Sequence, residues 1–182
     1  QVARSSRRIL VFADLRQHYL RASFEYFVEH VLRRRTENLG YEVRVLGRVA
    51  VDADLLQISE GLDIEYIEWV EDYVAELCSA AVVVLPDLDG SGIKNRTLQA
   101  LSLGCTVLGG SAAFEGIPVR DGCEAMVYED GVSASERLER LMRDDASRER
   151  IGRAAREFAY ANYSARSVTD RWVAAYSGGQ SL

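Results

Sequence analysis

Gly90-Ser91-Gly92-Ile93-Lys94 is the segment whose residue types and spacing are best suited to chemistry. It lies between the apolar run Ala80 to Leu85 and the helix-period stretch Lys94 to Leu103. Glycines let backbone N–H groups approach a ligand closely. A helix start offers unpaired N–H groups and the positive end of its dipole. Together they make a site for phosphate. The chain has 21 arginines and a single lysine, and that lysine is Lys94. A compact ammonium on a flexible stem suits a diphosphate differently from a planar guanidinium. The competing reading is a tight turn with a solvated first-turn lysine. A cation at that end of a helix is mildly unfavourable for the dipole, which counts against a purely structural role.

The elements that must hold this turn follow from the pattern of apolar residues. Strands are expected at Ile9 to Ala13, Tyr41 to Leu46, Ile64 to Ile67, Ala80 to Leu85, Thr106 to Leu108 and Met126 to Tyr128. Between them, helices are expected over Tyr19 to Glu37, Val51 to Ser59, Val70 to Cys78 and Lys94 to Leu103. Gly40 and Gly104 stand at the positions of helix-ending glycines. Two helices joined near Asp144-Asp145 fill Ser133 to Ala161, and Ser164 to Tyr176 is a last amphipathic helix. Strand–helix alternation with near-continuous apolar strands means a doubly wound α/β domain, Rossmann-like, with a parallel sheet covered on both faces. Such sheets bind ligands at the carboxyl ends of their strands, near a topological switch point.

Composition narrows the function. A net charge of −6 and a pI near 5.1 argue against nucleic acid as a partner, which needs a basic face. Cys78, Cys105 and Cys123 are odd in number and widely spaced, so they read as small apolar side chains and not as a disulfide framework or a metal site. No apolar run reaches the roughly 18 residues of a membrane span, and Ile9 to Phe12 is too short for a signal-peptide core. The expectation is a cytoplasmic protein with no membrane span in this segment. His18 and His30 read as surface or packing residues, and no spacing marks a catalytic acid, base or nucleophile. Glu136 with Arg140, Glu139 with Arg143, and Glu149 with Arg153 are i,i+4 pairs of a solvated helix face.

The turn and its flanks resemble the donor-binding half of GT-B glycosyltransferases, specifically the GT4 group (glycosyltransferase group 1). That group carries a G-S-G-x-K-x-x-x-L-E-A-x-x-x-G-x-P-V-V pattern. Gly90, Ser91, Gly92, Lys94, Leu98, Ala100, Gly104 and Val107 match it without a gap. Glu115-Gly116-Ile117 falls on its A-E-G-I/L segment, Asp121-Gly122 on its D-G and Asn162-Tyr163-Ser164 on its N-Y-S. The resemblance runs from about Ile9 to Trp172.

The resemblance implies a single domain corresponding to the C-terminal half of a GT-B fold, holding a nucleotide-sugar. By it, residues 1–8 are a flexible lead-in and 9–163 the nucleotide-sugar domain. Residues 164–176 are a helix crossing back to an N-terminal acceptor-binding domain of the same parent protein, and 177–182 are a flexible tail. Lys94 would contact the diphosphate, with Gly90, Ser91 and Gly92 turning backbone N–H groups toward it. The Trp69-Val70 loop would touch the base, Gln99 would hold the ribose, and Glu115 with Gly116 would rim the cleft. The implied activity is retaining transfer of a sugar from that donor, with no metal or other cofactor. Two other readings stay open: a non-catalytic glycosyltransferase-like binding module, and half of a UDP-sugar 2-epimerase.

The sequence departs from the family at informative places. Its E-x7-E pair is replaced by Ser91 and Gln99. A glutamate at the second position accepts charge-assisted hydrogen bonds from ribose, about twice as strong as the neutral bonds a glutamine accepts. Ala13 and Ala113 stand where glycines are usual, and Cys105-Thr106 replaces the usual x-P. A receiver domain and a P-loop kinase are set aside. Asp14 lacks the acidic neighbour a receiver needs, and no G-x4-G-K-[ST] occurs.

Overall fold

The computed structural model describes residues 5, 7–34 and 40–178. Most of the expected chain-end segments, 1–8 and 177–182, lies outside these residues, as does the stretch between Arg34 and Gly40 where the first helix was expected to end.

Six strands form one sheet: β1 (Arg8–Phe12), β2 (Glu42–Leu46), β3 (Ile64–Ile67), β4 (Val82–Leu85), β5 (Val107–Gly110) and β6 (Met126–Tyr128). Their order is β3-β2-β1-β4-β5-β6, and every neighbouring pair is parallel. β1 and β4 pair through Ile9 with Val82, Leu10 with Val83 and Val11 with Val84. The chain winds outward one way from β1 to β3 and the other way from β4 to β6, so the switch point lies between β1 and β4. β4 is buried along its whole length, as a central strand covered on both faces must be.

Helices cover the two faces: α1 (His18–Phe27), α2 (Ala53–Ile58), α3 (Tyr73–Ser79), α4 (Asn95–Ser102), α5 (Gly131–Arg143), α6 (Asp145–Tyr163) and α7 (Ala165–Gly178). α1 runs on into a π-helical turn at Val28–Leu32. The apolar face read from sequence is the buried one: Leu20, Phe24, Phe27, Val28, Val31 and Leu32 are all buried. One core cluster packs α1 and α5 on one face, around Ile9, Val11, Val84 and Tyr128. The other packs α3, α4 and α6 on the opposite face, around Leu10, Val83, Leu85 and Val107.

Strand and helix boundaries shift by a few residues from the pattern-based ones. The junction near Asp144 is as expected: Asp144 separates α5 from α6 and caps α6 by accepting from the Ser147 N–H. No disulfide joins the cysteines, of which Cys105 is buried and the other two half-buried. His30 packs its ring on Tyr26, and His18 is the exposed first residue of α1. Of the expected helix-face pairs, Glu139 and Arg143 lie 2.6 Å apart. Among the described residues, no helix is long and apolar enough to cross a membrane, and no cluster of three metal-ligating side chains occurs.

Candidate functional site

The Gly90–Lys94 turn leaves the carboxyl end of β4, on the β4 side of the switch point. Its two glycines have φ of +112° and +79°, a region an L side chain enters only with strain. Gly90 also carries a close approach: a Cβ there would lie 3.3 Å from Cε2 of Tyr19, which sits in the first turn of α1. The turn thus seats the start of α4 beside the start of α1. A second tie is made by Ser23 on α1, whose Oγ accepts from the Leu88 N–H at 3.2 Å.

Lys94 occupies the N-cap position of α4 and is only 7% exposed. Its Nζ donates to the Gly92 carbonyl at 3.1 Å, and the nearest carboxylate oxygen is Oε2 of Glu115, 3.9 Å away. The same Oε2 accepts from the Gly92 N–H at 2.8 Å. Glu115 follows the short 3₁₀ turn after β5 (Ser111–Phe114) and precedes Gly116, which packs on Ile93 so closely that a Cβ would fall 2.8 Å from Ile93 Cγ1. The expected grouping of Gly92, Lys94, Glu115 and Gly116 is therefore present in space. Gly92 and Ser91 are exposed, with the Gly92 N–H turned to an anionic oxygen.

Beneath the turn lies a polar pair that sequence reasoning passed over. Asp87, the second residue past β4, is fully buried and pairs with the Arg96 guanidinium on α4. Burial pushes its carboxyl above the usual carboxylate range, against the pull of Arg96 and Lys94. Its Oδ2 and the buried Tyr128 hydroxyl find no hydrogen-bond partner among the described residues. Burial, and then the Asp87 charge, raise the Tyr128 hydroxyl as well. The signal available in sequence was a carboxylate immediately after a strand buried throughout, with an arginine nine positions on.

Gln99 lies one turn into α4 and is exposed. Its Oε1 accepts from the Tyr73 hydroxyl at 2.8 Å. Tyr73 opens α3 and its ring lies 5.8 Å from that of Phe12, the last residue of β1. This brings Gln99 to the helix that follows the Trp69-Val70 loop. On its other side Gln99 borders a groove of about 240 Å³ shared with Ser102, Tyr160 and Tyr163. Trp69 is 78% exposed, whereas Val70 packs against the core and spends its side chain there. Tyr73 was not singled out from sequence, because a tyrosine at the start of a helix carries no spacing cue.

The geometry sets a buried ammonium close to the N–H of an exposed glycine at the carboxyl edge of a parallel sheet, beside its switch point. A profile of the glycosyl transferase-like family matches residues 15–174, most of the chain. The chain belongs to this family. Solved structures agree at the level of fold. TarM superposes on this glycosyl transferase-like domain with a TM-score of 0.77 at 13% identity, over 94% of the domain and 35% of TarM. HepE from Anabaena, in complex with UDP, superposes with a TM-score of 0.74 at 12% identity, over 94% of the domain and 49% of HepE. The C-terminal domain of a glycosyl transferase group 1 family protein, LpcC from Francisella tularensis, gives a TM-score of 0.68 at 16% identity. There the match covers 90% of this domain and 89% of that one. The chain thus spans half or less of the length of TarM and HepE, and nearly all of an isolated C-terminal domain. The doubly wound fold expected from sequence is the one these structures share. By sequence, the glycosyl transferase-like domain matches none of the curated proteins.

Proposed function

We propose that this domain holds the nucleotide-sugar donor of a retaining, GT4-type glycosyltransferase, with an N-terminal domain of the same parent protein supplying the acceptor. The diphosphate lies against the Gly90–Lys94 turn, met by the Gly92 N–H and the Lys94 ammonium. The nucleoside extends toward Gln99 and Tyr73, with Trp69 available as an exposed aromatic surface. The observation that carries this reading is Lys94: a lysine 7% exposed at a helix start, with no carboxylate of the described residues closer than 3.9 Å. A desolvated cation without a tight internal partner is costly unless it serves a ligand. HepE, of the same fold, is a UDP complex. α7 supports the two-domain arrangement: Trp172, Val173 and Tyr176 are exposed apolar residues on a helix whose main packing partner among the described residues is α6.

The test is calorimetric titration of the chain with UDP-, GDP- and ADP-sugars, repeated with Lys94→Ala and Gln99→Glu. The expected result is binding of one donor class, lost in Lys94→Ala and strengthened in Gln99→Glu by about five- to tenfold, the scale of making one hydrogen bond charge-assisted. No binding to any donor, with Gln99→Glu failing to produce it, overturns the reading.

A second reading is a glycosyltransferase-like module that binds without turnover. Gln99 favours it: the position offers no carboxylate, and its one carbonyl oxygen already accepts from Tyr73. Donor hydrolysis or transfer by the full-length parent protein decides between the two.

A further inference from the structure

One of the donors that would meet a phosphate, the Gly92 N–H, is already engaged by the chain's own carboxylate, which also lies near the other. Glu115 Oε2 accepts from the Gly92 N–H at 2.8 Å and lies 3.9 Å from Lys94 Nζ. One anionic oxygen thus faces both the backbone donor and the buried cation of the turn. We propose that Glu115 is an internal substitute for the ligand's phosphate, which an entering diphosphate must displace, so that this residue sets how much charge a ligand needs to bind. The proposal rests on the donor-site reading above and reverses the role expected for Glu115 there, from a rim residue that helps the ligand to one that competes with it.

Three features make displacement feasible. Glu115 has 52% of its side chain exposed, so leaving the turn costs little packing. Its backbone is anchored on both sides without the carboxylate: the Glu115 N–H donates to the Ala112 carbonyl, and the Gly116 carbonyl accepts from the Tyr163 hydroxyl at 3.3 Å. The space over Gly92 is open: beyond its two chain neighbours, no atom of the described residues comes within 4 Å of where a Cβ would stand. A diphosphate brings more negative charge than one carboxylate and can bridge the N–H and the ammonium with separate oxygens, whereas Glu115 reaches the ammonium only at long range. A ligand with a single charge gains nothing over Glu115, so the turn discriminates by charge.

The experiment is titration of the chain with inorganic pyrophosphate and with UDP, on the wild type, Glu115→Gln, Glu115→Ala and the double variant Glu115→Gln with Lys94→Ala. Pyrophosphate reads the anion contact without the base. The expected result is tighter binding of both probes in Glu115→Gln and Glu115→Ala. The gain is about three- to tenfold, the scale of one exposed ion pair and one charge-assisted hydrogen bond, and it disappears in the double variant. The Gly92 amide resonance should move the same way on adding pyrophosphate to the wild type and to Glu115→Gln, reporting a new acceptor in both. If the wild type binds and Glu115→Gln binds equally or more weakly, Glu115 does not compete and the inference is overturned, while the donor site stands. If no variant binds either probe, the donor-site reading itself fails.

Discussion

Two charged regions of this domain are built on opposite principles. Along β1, β2 and α3, Arg8 lies 3.1 Å from Glu42, and Arg44 lies 2.7 Å from Glu42, 2.9 Å from Glu65 and 3.0 Å from Glu76. The Arg44 contact to Glu76 is an aligned hydrogen bond, whereas its Nε meets Glu42 and Glu65 by charge alone, without hydrogen-bond alignment. Each cation there has short partners on the same or neighbouring elements. At the Gly90–Lys94 turn, by contrast, the more deeply buried cation has one carbonyl and one distant, half-exposed carboxylate. On the proposed reading, pairing, more than charge or burial, separates a group held for stability from one held for a ligand.

The comparison breaks most visibly at Lys94. Replacing it with alanine should weaken diphosphate binding by about 10- to 100-fold, the scale of losing a charged hydrogen-bond donor. The same variant should change the unfolding free energy by less than about 1 kcal/mol, because no tight internal pair is lost. A large stability loss with unchanged binding would make Lys94 a structural residue.

Arg44→Ala is the mirror experiment. It leaves Glu42, Glu65 and Glu76 without their shared cation and should cost about 1–3 kcal/mol in chemical denaturation, less than for a fully buried pair because the side chain is 23% exposed. Pyrophosphate affinity should stay within about twofold, since the network lies away from the turn; a tenfold loss would erase the distinction between the two regions.

A smaller effect sharpens the comparison at the backbone. Gly92 has φ of +79° with open space at the Cβ position, so Gly92→Ala adds strain without a clash. It should cost about 1–2 kcal/mol of stability and weaken pyrophosphate binding measurably as the N–H turns away. Unchanged affinity would mean that the Gly92 N–H takes no part.

The smallest effect concerns a paired charge elsewhere. Asp52 caps α2 and accepts from Arg21, whose hydrogen bond pulls the carboxyl down from 3.8 to about 2. A lowered folded-state value means its contribution is complete above the unfolded value and fades as pH falls toward 2. The urea midpoint should therefore drop across that window, and Asp52→Asn, which retains a capping side chain, should flatten the slope there. An unchanged slope would show that the Arg21 contact adds nothing.

Much of the fold was legible because buried parallel strands leave a local trace. Val82 to Leu85 is apolar throughout, and Met126 to Tyr128 and Ile64 to Ile67 have the bounds read from pattern. The turn was legible for the same kind of reason: two glycines and the single lysine stand next to one another in the chain. Tyr73 left no such trace. It meets Gln99 across 26 positions of chain.

The sequence by itself determined the alternation of strands and helices, the location of the two-glycine turn and the identity of the one lysine beside it. These depend on residue types within one or two turns of chain, where periodicity and backbone freedom act directly. Only the tertiary structure decided that Lys94 is buried, that Asp87 is locked beneath it with Arg96, and that Glu115 crosses from the segment after β5 to meet the Gly92 N–H. Those facts depend on how β4 and β5 are set side by side and on what each loses to water when packed. Neither is encoded in the spacing of either segment alone.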